Sequence, residues 1–234
     1  MSICVIVPSR GRPERARLMV NSVRRTAARV PEVRLAVDAD DPCLAEYEAL
    51  ARPGIEVVVN AERTGYAPSL NSVAAAAWDD FTILGAFGDD VLFQTPGWDR
   101  LVEEAMHTPA IVYGNDLVHA AGHPTAIFMA SAMAKALGWL AIPQSRHLWV
   151  DDAWKALGQA TGTLRYIPEA IFEHMHPVVG KAEMDQTYHE VYDGVLGHQD
   201  HLGFLDWQAN HLEADAEKVR GILPNYDYAA PRGE

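Results

Sequence analysis

A doubly wound α/β domain, with a mostly parallel sheet and flanking helices, is the fold this sequence predicts, and two observations carry the prediction. Short apolar, β-branched runs alternate with helix-like stretches over the first ninety residues, the pattern of buried parallel strands joined by right-handed crossovers. Polar residues then gather where those runs end: Ser9 and Arg10, Asp38 and Asp40, Arg63, and Asp89 with Asp90. Ligands of open α/β sheets bind beyond the carboxyl ends of the strands, so the two observations point to one edge of one sheet.

Taken in order, residues 3–7 (ICVIV) read as a buried strand ended by Pro8. Pro13 opens a helix to about residue 28, with Leu18, Val20 and Val23 toward the core. Residues 33–40 form a second strand ending in acids, 42–51 a short helix and 55–60 a third strand. After the loop ERTGYAP, a helix spans about 69–78, and the strand 81–87 runs straight into Gly88, Asp89 and Asp90. The second half is less regular. A helix near 98–107 follows Pro96 and Gly97, strands are expected at 110–114 and 125–130, and a small-residue helix runs to Leu137 with Gly138 as its C-cap. Asp151 or Asp152 caps a helix through Leu157. LRYIP and AIFEHMH read as extended segments, residues 181–220 as polar helix and NYDYAAPRGE as a tail. Residues 1–178 are read as one α/β domain, and 179–234 as a helical extension packed on it.

With 234 residues, 49% apolar and six tryptophans among them, the chain can bury a sizeable core. No run reaches the roughly 20 apolar residues of a membrane helix, and charges follow the first apolar run at once. Cys4 and Cys43 have no metal-type spacing and read as free thiols of a reducing compartment. A soluble, cytoplasmic protein is therefore expected. The net charge is −13, yet eight arginines against Glu14 and Glu32 give residues 1–34 a charge of +6 and leave −19 on the remainder. So acidic a body argues against broad duplex binding, which needs lysine and arginine on phosphate, while the basic start can serve a small phosphorylated ligand. Arg17, Arg24, Arg25 and Arg29 fit the wet face of the first helix.

Three polar groups have competing readings. Asp89 and Asp90, after an apolar strand, can hold a hard divalent cation between protein and nucleotide phosphates, or form a polar turn, for which Gly-Asp-Asp is good chemistry. His174 and His176 are two apart in an extended segment and so face one side; they are ligands of the same ion or ordinary surface histidines. Asp151 and Asp152 cap a helix, or one of them is a general base. His198 and His201 have i, i+3 spacing, but a solvated helix face explains them better than a metal site. Trp98, Trp139, Trp149 and Trp154 read mostly as core, with one near 149–154 able to stack on an acceptor.

Several segments together resemble the GT-A glycosyltransferases, family 2 and its phage-encoded relatives in particular. VIVPSRGRPE resembles the opening strand and loop, VDADDP the acidic end of the second strand, ILGAFGDDVLF the metal-binding D-x-D strand end, WVDDAW the acidic pair that supplies the base, and FEHMHP the late histidine of the metal shell. RTGYAPSLN resembles an N-x-G-x-x-x-x-x-N segment, with Arg63 replacing the first Asn and Asn71 matching the last. The resemblance covers about residues 3–178. It implies a GT-A fold with a helical C-terminal extension and a hexosyltransferase-like enzyme. It implies a nucleotide diphosphate sugar as donor, a UDP-sugar first, and transfer to an acceptor hydroxyl with inversion. Mn²⁺ or Mg²⁺ would sit on Asp89 and Asp90 with His176 or His174, Asp89 matching the family's metal position. Asp152 matches the base, with Asp151 behind it. Pro8, Ser9, Arg10 and Asp38 would surround the base and ribose of the nucleotide, with Arg10 or Arg63 on phosphate and Asp90 also near the donor. One departure stands out: the first Asp of a D-x-D-D run, which often touches ribose, falls at Phe87. The resemblance leaves the acceptor open between a glycan, a small molecule or protein hydroxyl, and a hydroxymethylated pyrimidine of phage DNA, the last of which would put the enzyme in the host cytoplasm. It leaves the oligomeric state open too. A nucleotidyltransferase is the first alternative, against which the loop PSRGRPE offers one Gly and no Lys. A non-catalytic sugar-nucleotide-binding module, the second, would not need two acidic pairs.

Overall fold

The computed structural model describes residues 1–191 and 194–225; the last nine residues of the expected tail lie outside them. The chain opens with β1 (Ile3–Pro8), whose first five residues are buried, and α1 (Pro13–Thr26), where Pro13 occupies the first turn and its missing N–H has no helical partner to lose. Ala16, Met19, Val20 and Val23 face inward. Leu18 is instead 47% exposed, because a position one residue from Met19 and two from Val20 falls off the apolar stripe. Then follow β2 (Glu32–Asp38), α2 (Leu44–Glu48), β3 (Ile55–Asn60), α3 (Tyr66–Ala75) and β4 (Ile83–Ala86). α3 begins three residues earlier than expected, at an N-cap glycine, Gly65, so Ser69 lies inside the helix.

The second half holds β5 (Val91–Phe93), α4 (Trp98–Ala105), β6 (Ile111–Asn115), β7 (Ile127–Ala130), α5 (Ser131–Leu137), α6 (Val150–Thr161), β8 (Leu164–His174), α7 (Gln186–Val191), α8 (Gly194–Asn210) and α9 (Leu212–Ile222), with short 3-10 turns between. The eight strands form one sheet in the order β3-β2-β1-β4-β7-β6-β8-β5. β1, β2, β3 and β4 pair in parallel, as do β6 and β8. β7 runs antiparallel between β4 and β6, and β5 antiparallel on β8. The carboxyl ends of β1–β4, β6 and β8 thus share one edge. LRYIP and AIFEHMH are one strand rather than two segments, with a register shift opposite Gly114 and Asn115 near Pro168, which has no N–H for the ladder.

An aromatic cluster fills the centre. Phe87 packs against Phe93, Phe128 and Phe172 at ring-centre distances of 4.8, 5.0 and 5.6 Å, and Trp98 stacks on Phe128 at 5.2 Å. The residue standing where an aspartate was expected is therefore core. The C-terminal helices are less polar than their composition suggests. Phe204 and Trp207 of α8 and Ala216 and Val219 of α9 are buried in the same core as the sheet. Trp139 and Trp207 both donate their indole N–H to the buried Asp215 of α9, at 3.2 and 3.0 Å. Trp154 donates to the Leu140 carbonyl at 2.7 Å, so the buried indoles are satisfied. No helix of the described residues is long and apolar enough to cross a membrane.

Candidate active site

A cleft of about 580 Å³ opens at the carboxyl edge of the sheet. Its floor includes Pro8, Ser9, Arg10, Asp38, Gly88, Asp89 and Asp90; one wall carries Arg146, His147 and Asp151, and the other His174, His176, Thr187, Tyr188 and Glu190. Arg63 reaches it as well. Of the catalytic, substrate and metal residues expected from the sequence, Asn71 and Asp152 do not line it. Asn71 is spent on backbone: its Oδ1 accepts the amides of Leu140 and Ala141 at 2.7 and 2.8 Å, and its Nδ2 donates to the Ala141 carbonyl at 2.8 Å.

Asp89 is buried, and a relay of hydroxyls holds it. The Arg12 amide donates to the Tyr47 hydroxyl at 2.7 Å. Tyr47 lies 2.8 Å from Ser9 Oγ, and Ser9 donates to Asp89 Oδ2 at 2.6 Å, so Tyr47 is the donor to Ser9. Burial first, and the charge of Asp90 next, push the Asp89 carboxyl up to about 6 against the pull of Arg12. Asp90 goes the other way. Burial alone would raise it, but the hydrogen bond and charge of His174, the Tyr188 hydroxyl and Arg12 outweigh burial and hold it below the usual carboxylate range. Tyr188 donates to Asp90 Oδ2 at 2.7 Å, and His174 Nε2 lies 3.4 Å from the same oxygen. Strand register brings these together: β5 pairs with β8 so that Val91 stands opposite His174, and the Met175 amide donates to the Asp90 carbonyl at 2.8 Å. Gly88 leaves room for the Asp90 carboxylate, since a Cβ there would meet Asp90 Oδ1 at 2.6 Å and push that side chain aside.

The arginines expected on phosphate have carboxylate partners. Arg10 forks onto Asp40 at 2.6 and 3.1 Å and reaches Asp38 at 3.3 Å; Arg63 pairs with Glu190. Arg12 binds Asp185 at 2.8 Å, approaches Asp89 at 3.4 Å and lies 4.0 Å over the Tyr188 ring. Among the described residues, Arg146 is the cleft arginine with no ion pair.

His174 and His176 both reach the cleft, with ring centres 5.0 Å apart. Burial lowers both; for His174 the Asp90 hydrogen bond together with the charges of Asp90, Asp116 and Asp151 outweighs it and the net shift is upward, while His176 is lowered further by His174. The expected set of Asp89, Asp90, His174 and His176 does not converge on one point, because Asp89 turns to Ser9 and Arg12 and Asp90 to His174 and Tyr188. Among the described residues, one group of metal-type side chains does bring donor atoms within 4.8 Å of one another: His123, Asp151 and Asp152.

Neither Asp151 nor Asp152 caps α6. The N-cap is Trp149, with φ at 66° and no side-chain cap bond, and both acids sit in the first turn. A non-glycine residue at such a φ is held there by its surroundings: Trp149 stacks on His201 at 4.1 Å and on Phe204 at 5.6 Å. His201 is thus a packing residue. Asp200, beside it on α8, is buried and accepts the amides of Arg146, His147 and Leu148 at 2.8, 2.8 and 2.7 Å. Gly203 lets α8 approach, as a Cβ there would lie 2.2 Å from the Gln144 carbonyl oxygen. Asp151 Oδ2 lies 2.7 Å from His123 Nε2; this bond raises the imidazole pKa. Burial, then the charge of Asp151, raises the Asp152 carboxyl.

Sequence reasoning missed Tyr188, Arg12, Asp116, His123 and Asp200. Asp116 and His119 carry a local signal, Asp followed three residues later by a residue whose amide it takes; the others have no signal in sequence.

Comparison with known proteins decides the family. The sequence profile described as Glycosyl transferase family 2 matches residues 4–163, more than half of the chain. This chain belongs to glycosyl transferase family 2. The fold is the GT-A type, with the helical C-terminal region added. Among solved structures, the chain is similar to S. aureus TarS in complex with UDP, at 11% identity and a TM-score of 0.59, covering 74% of this chain and 59% of that one. It is similar to the mannosyltransferase PcManGT of Pyrobaculum calidifontis in complex with GDP-Man and Mn²⁺, at 13% identity and 0.59, covering 94% and 73%. It is also similar to glucosyl-3-phosphoglycerate synthase of Mycobacterium tuberculosis in complex with Mn²⁺, UDP and phosphoglyceric acid, at 12% identity and 0.60, covering 89% and 78%. The chain spans less than two thirds of the length of the TarS chain. No curated protein sequence matches it.

Proposed function

We propose that this family 2 domain transfers a sugar from a nucleotide diphosphate donor to an acceptor hydroxyl, with inversion at the anomeric carbon. The observation that carries the reading is that Asp38, Asp89, Asp90 and Asp151 open onto one cleft at the strand ends. Asp38 is buried, with Arg10 on one oxygen and Asn60 at 3.4 Å from the other, and is suited to a ribose hydroxyl or base N–H. UDP is the first nucleotide to try, since TarS and the mycobacterial synthase are described with it. Arg146 is suited to the diphosphate by its fork and its lack of an ion pair.

By chemistry the donor set suits a divalent cation of the Mn²⁺ or Mg²⁺ type: Asp89 and Asp90 offer buried carboxylate oxygens, with His174 and His176 beside them, and the side chains would have to turn from their present partners to converge on it. Such an ion, when bound, supplies Lewis-acid stabilisation of the leaving diphosphate. Arg12 and the Tyr188 hydroxyl, which now hold Asp89 and Asp90, would have to yield oxygens to the ion.

Of the acidic pair, we assign the general base to Asp151, which lines the cleft, over Asp152, which does not. Asp151 would take the proton of the acceptor hydroxyl as that oxygen attacks the anomeric carbon. For the acceptor, a glycan or small hydroxyl compound is favoured over modified DNA. Arg10, Arg12 and Arg63, which could have built a basic groove, are paired with carboxylates, and phosphate contacts need free cations.

The test is incubation with UDP-glucose, UDP-N-acetylglucosamine and GDP-mannose in Mn²⁺, following nucleotide release, with UDP calorimetry in Mn²⁺ and in EDTA. Slow release from one donor, and UDP affinity lost in EDTA, are expected. No release and no nucleotide binding would overturn the proposal; binding unchanged by EDTA would remove the metal from it.

A further inference from the structure

His123 lies outside the donor side of the cleft, on the connection between β6 and β7, yet its ring touches the residue assigned as base. That connection is fixed from several directions. Buried Asp116 accepts the amides of Val118, His119 and Ala120 on Oδ1, at 2.9, 2.7 and 3.0 Å, while the His119 ring and the Thr125 hydroxyl lie on Oδ2 at 3.0 and 3.1 Å. The Gly122 amide donates to the His119 carbonyl at 2.9 Å, and the Thr125 amide to the His123 carbonyl at 3.2 Å. Lys155, one turn along α6 from Asp151, donates to the Gly122 carbonyl at 2.7 Å. Leu117 and Ala120 hold φ values of 59° and 48°, conformations that persist only where the surroundings over-determine them. A chance surface pair between a histidine and an aspartate would not need so fixed a mount.

We propose that His123 is a positioning residue for the glycosyl-transfer base. Its Nε2–H fixes Asp151 Oδ2 at 2.7 Å. The other oxygen, Oδ1, takes only the Asp152 amide at 3.2 Å and keeps a lone pair for the acceptor hydroxyl. The assignment rests on Asp151 being the base. Without His123 the half-buried carboxylate is free to turn, and misplacement of a reacting group by about 1 Å costs up to about 10²-fold in rate. The donor pocket, built on Asp38, Asp89 and Asp90, is untouched.

Three variants separate this role from a structural one: His123→Gln, whose amide nitrogen stands where Nε2 stood; His123→Asn, whose amide stops at the Nδ1 position; and His123→Ala. Each is measured in Mn²⁺ for nucleotide release from the donor that the wild type uses, for UDP affinity and for melting temperature. His123→Ala and His123→Asn should lose about 10- to 100-fold in kcat, with UDP Kd and melting temperature unchanged, and His123→Gln should recover most of the rate. Wild-type turnover in His123→Ala overturns the proposal. So does equal loss in all three, or loss of UDP affinity in step with rate, which would make the His123–Asp151–Asp152 cluster a binding site. The reading beneath it has its own control. If the wild type turns over and Asp151→Asn does not, Asp151 stands as the base whatever the His123 variants do. If the wild type releases no nucleotide from any donor, the glycosyl-transfer reading falls and this role falls with it.

Discussion

The two sides of the cleft are built by different means. On the donor side, each polar residue follows a parallel strand directly: Ser9 and Arg10 after β1, Asp38 at the end of β2, Asp89 and Asp90 three and four residues after β4. On the side where the acceptor would enter, the parts are held by residues distant in the chain. Asp200 ties down 146–148, His201 and Phe204 brace Trp149, and the loop after β6 carries His123 to Asp151. A sheet edge places side chains by topology alone, so one strand suffices to locate one residue. An irregular loop needs partners from elsewhere to satisfy its backbone.

If that contrast is sound, damage on the two sides should read out differently. The largest effect belongs to Asp151→Asn, which keeps shape and removes the proton acceptor: turnover should fall about 10² to 10⁴-fold with UDP affinity unchanged by calorimetry, and Asp152→Asn should fall less. The reverse order would return the base to Asp152. Next comes Asp200→Ala, which leaves the part-buried amides of Arg146, His147 and Leu148 without their acceptor. A loss of about 3 kcal/mol, a fall in melting temperature of about 6–12 °C, and poor turnover at saturating donor are expected; an unchanged melting curve would mean that the 146–148 loop supports itself.

Asp38→Ala should weaken UDP binding by about 1–3 kcal/mol and leave the fold intact, the mirror image of Asp200→Ala. Affinity within error of wild type would put the nucleotide elsewhere. The smallest effect is one of pH. Burial alone would raise the Asp116 carboxyl, but the amides of Val118, His119 and Ala120 and the His119 ring bring it down to about 2. A folded-state pKa below the unfolded one stabilises the fold above the unfolded value, near 4, and that contribution disappears as pH falls through 2. Denaturant titrations should show on the order of 1–2 kcal/mol less stability at pH 2.5 than at pH 5 from this group, a slope that Asp116→Asn removes. An identical slope in the variant would break the assignment.

The same contrast explains what could be read from the sequence. The order of strands and helices through β4, the buried Cys4 and the C-cap at Gly138 follow from local patterns of apolar spacing, proline and glycine. So does the gathering of Ser9, Arg10, Asp38, Asp89 and Asp90 at one edge. β5 was missed because three residues carry no periodicity. α8 was read as solvated because Asp200 and Trp207 do their work against the loop before α6 and against α9, and a helix whose polar residues point inward gives no amphipathic stripe. Asn71 matched a family position, but what it holds is the backbone at 140–141. Phe87, read as a missing ribose contact, is better described as a core residue that the aromatic cluster requires.

The match to the family 2 profile ends at residue 163, but the interior does not. A fragment cut there would leave the Trp139 indole without Asp215, the amides of 146–148 without Asp200, and Trp149 without the two rings that hold its turn. The strands β1–β4 with their polar ends could be exchanged with those of a relative only together with β8 and α7, whose His174 and Tyr188 hold Asp90. The segment that carries Asp151 likewise needs α8 and α9 to travel with it, so chimaeras that change the acceptor must be spliced in pairs.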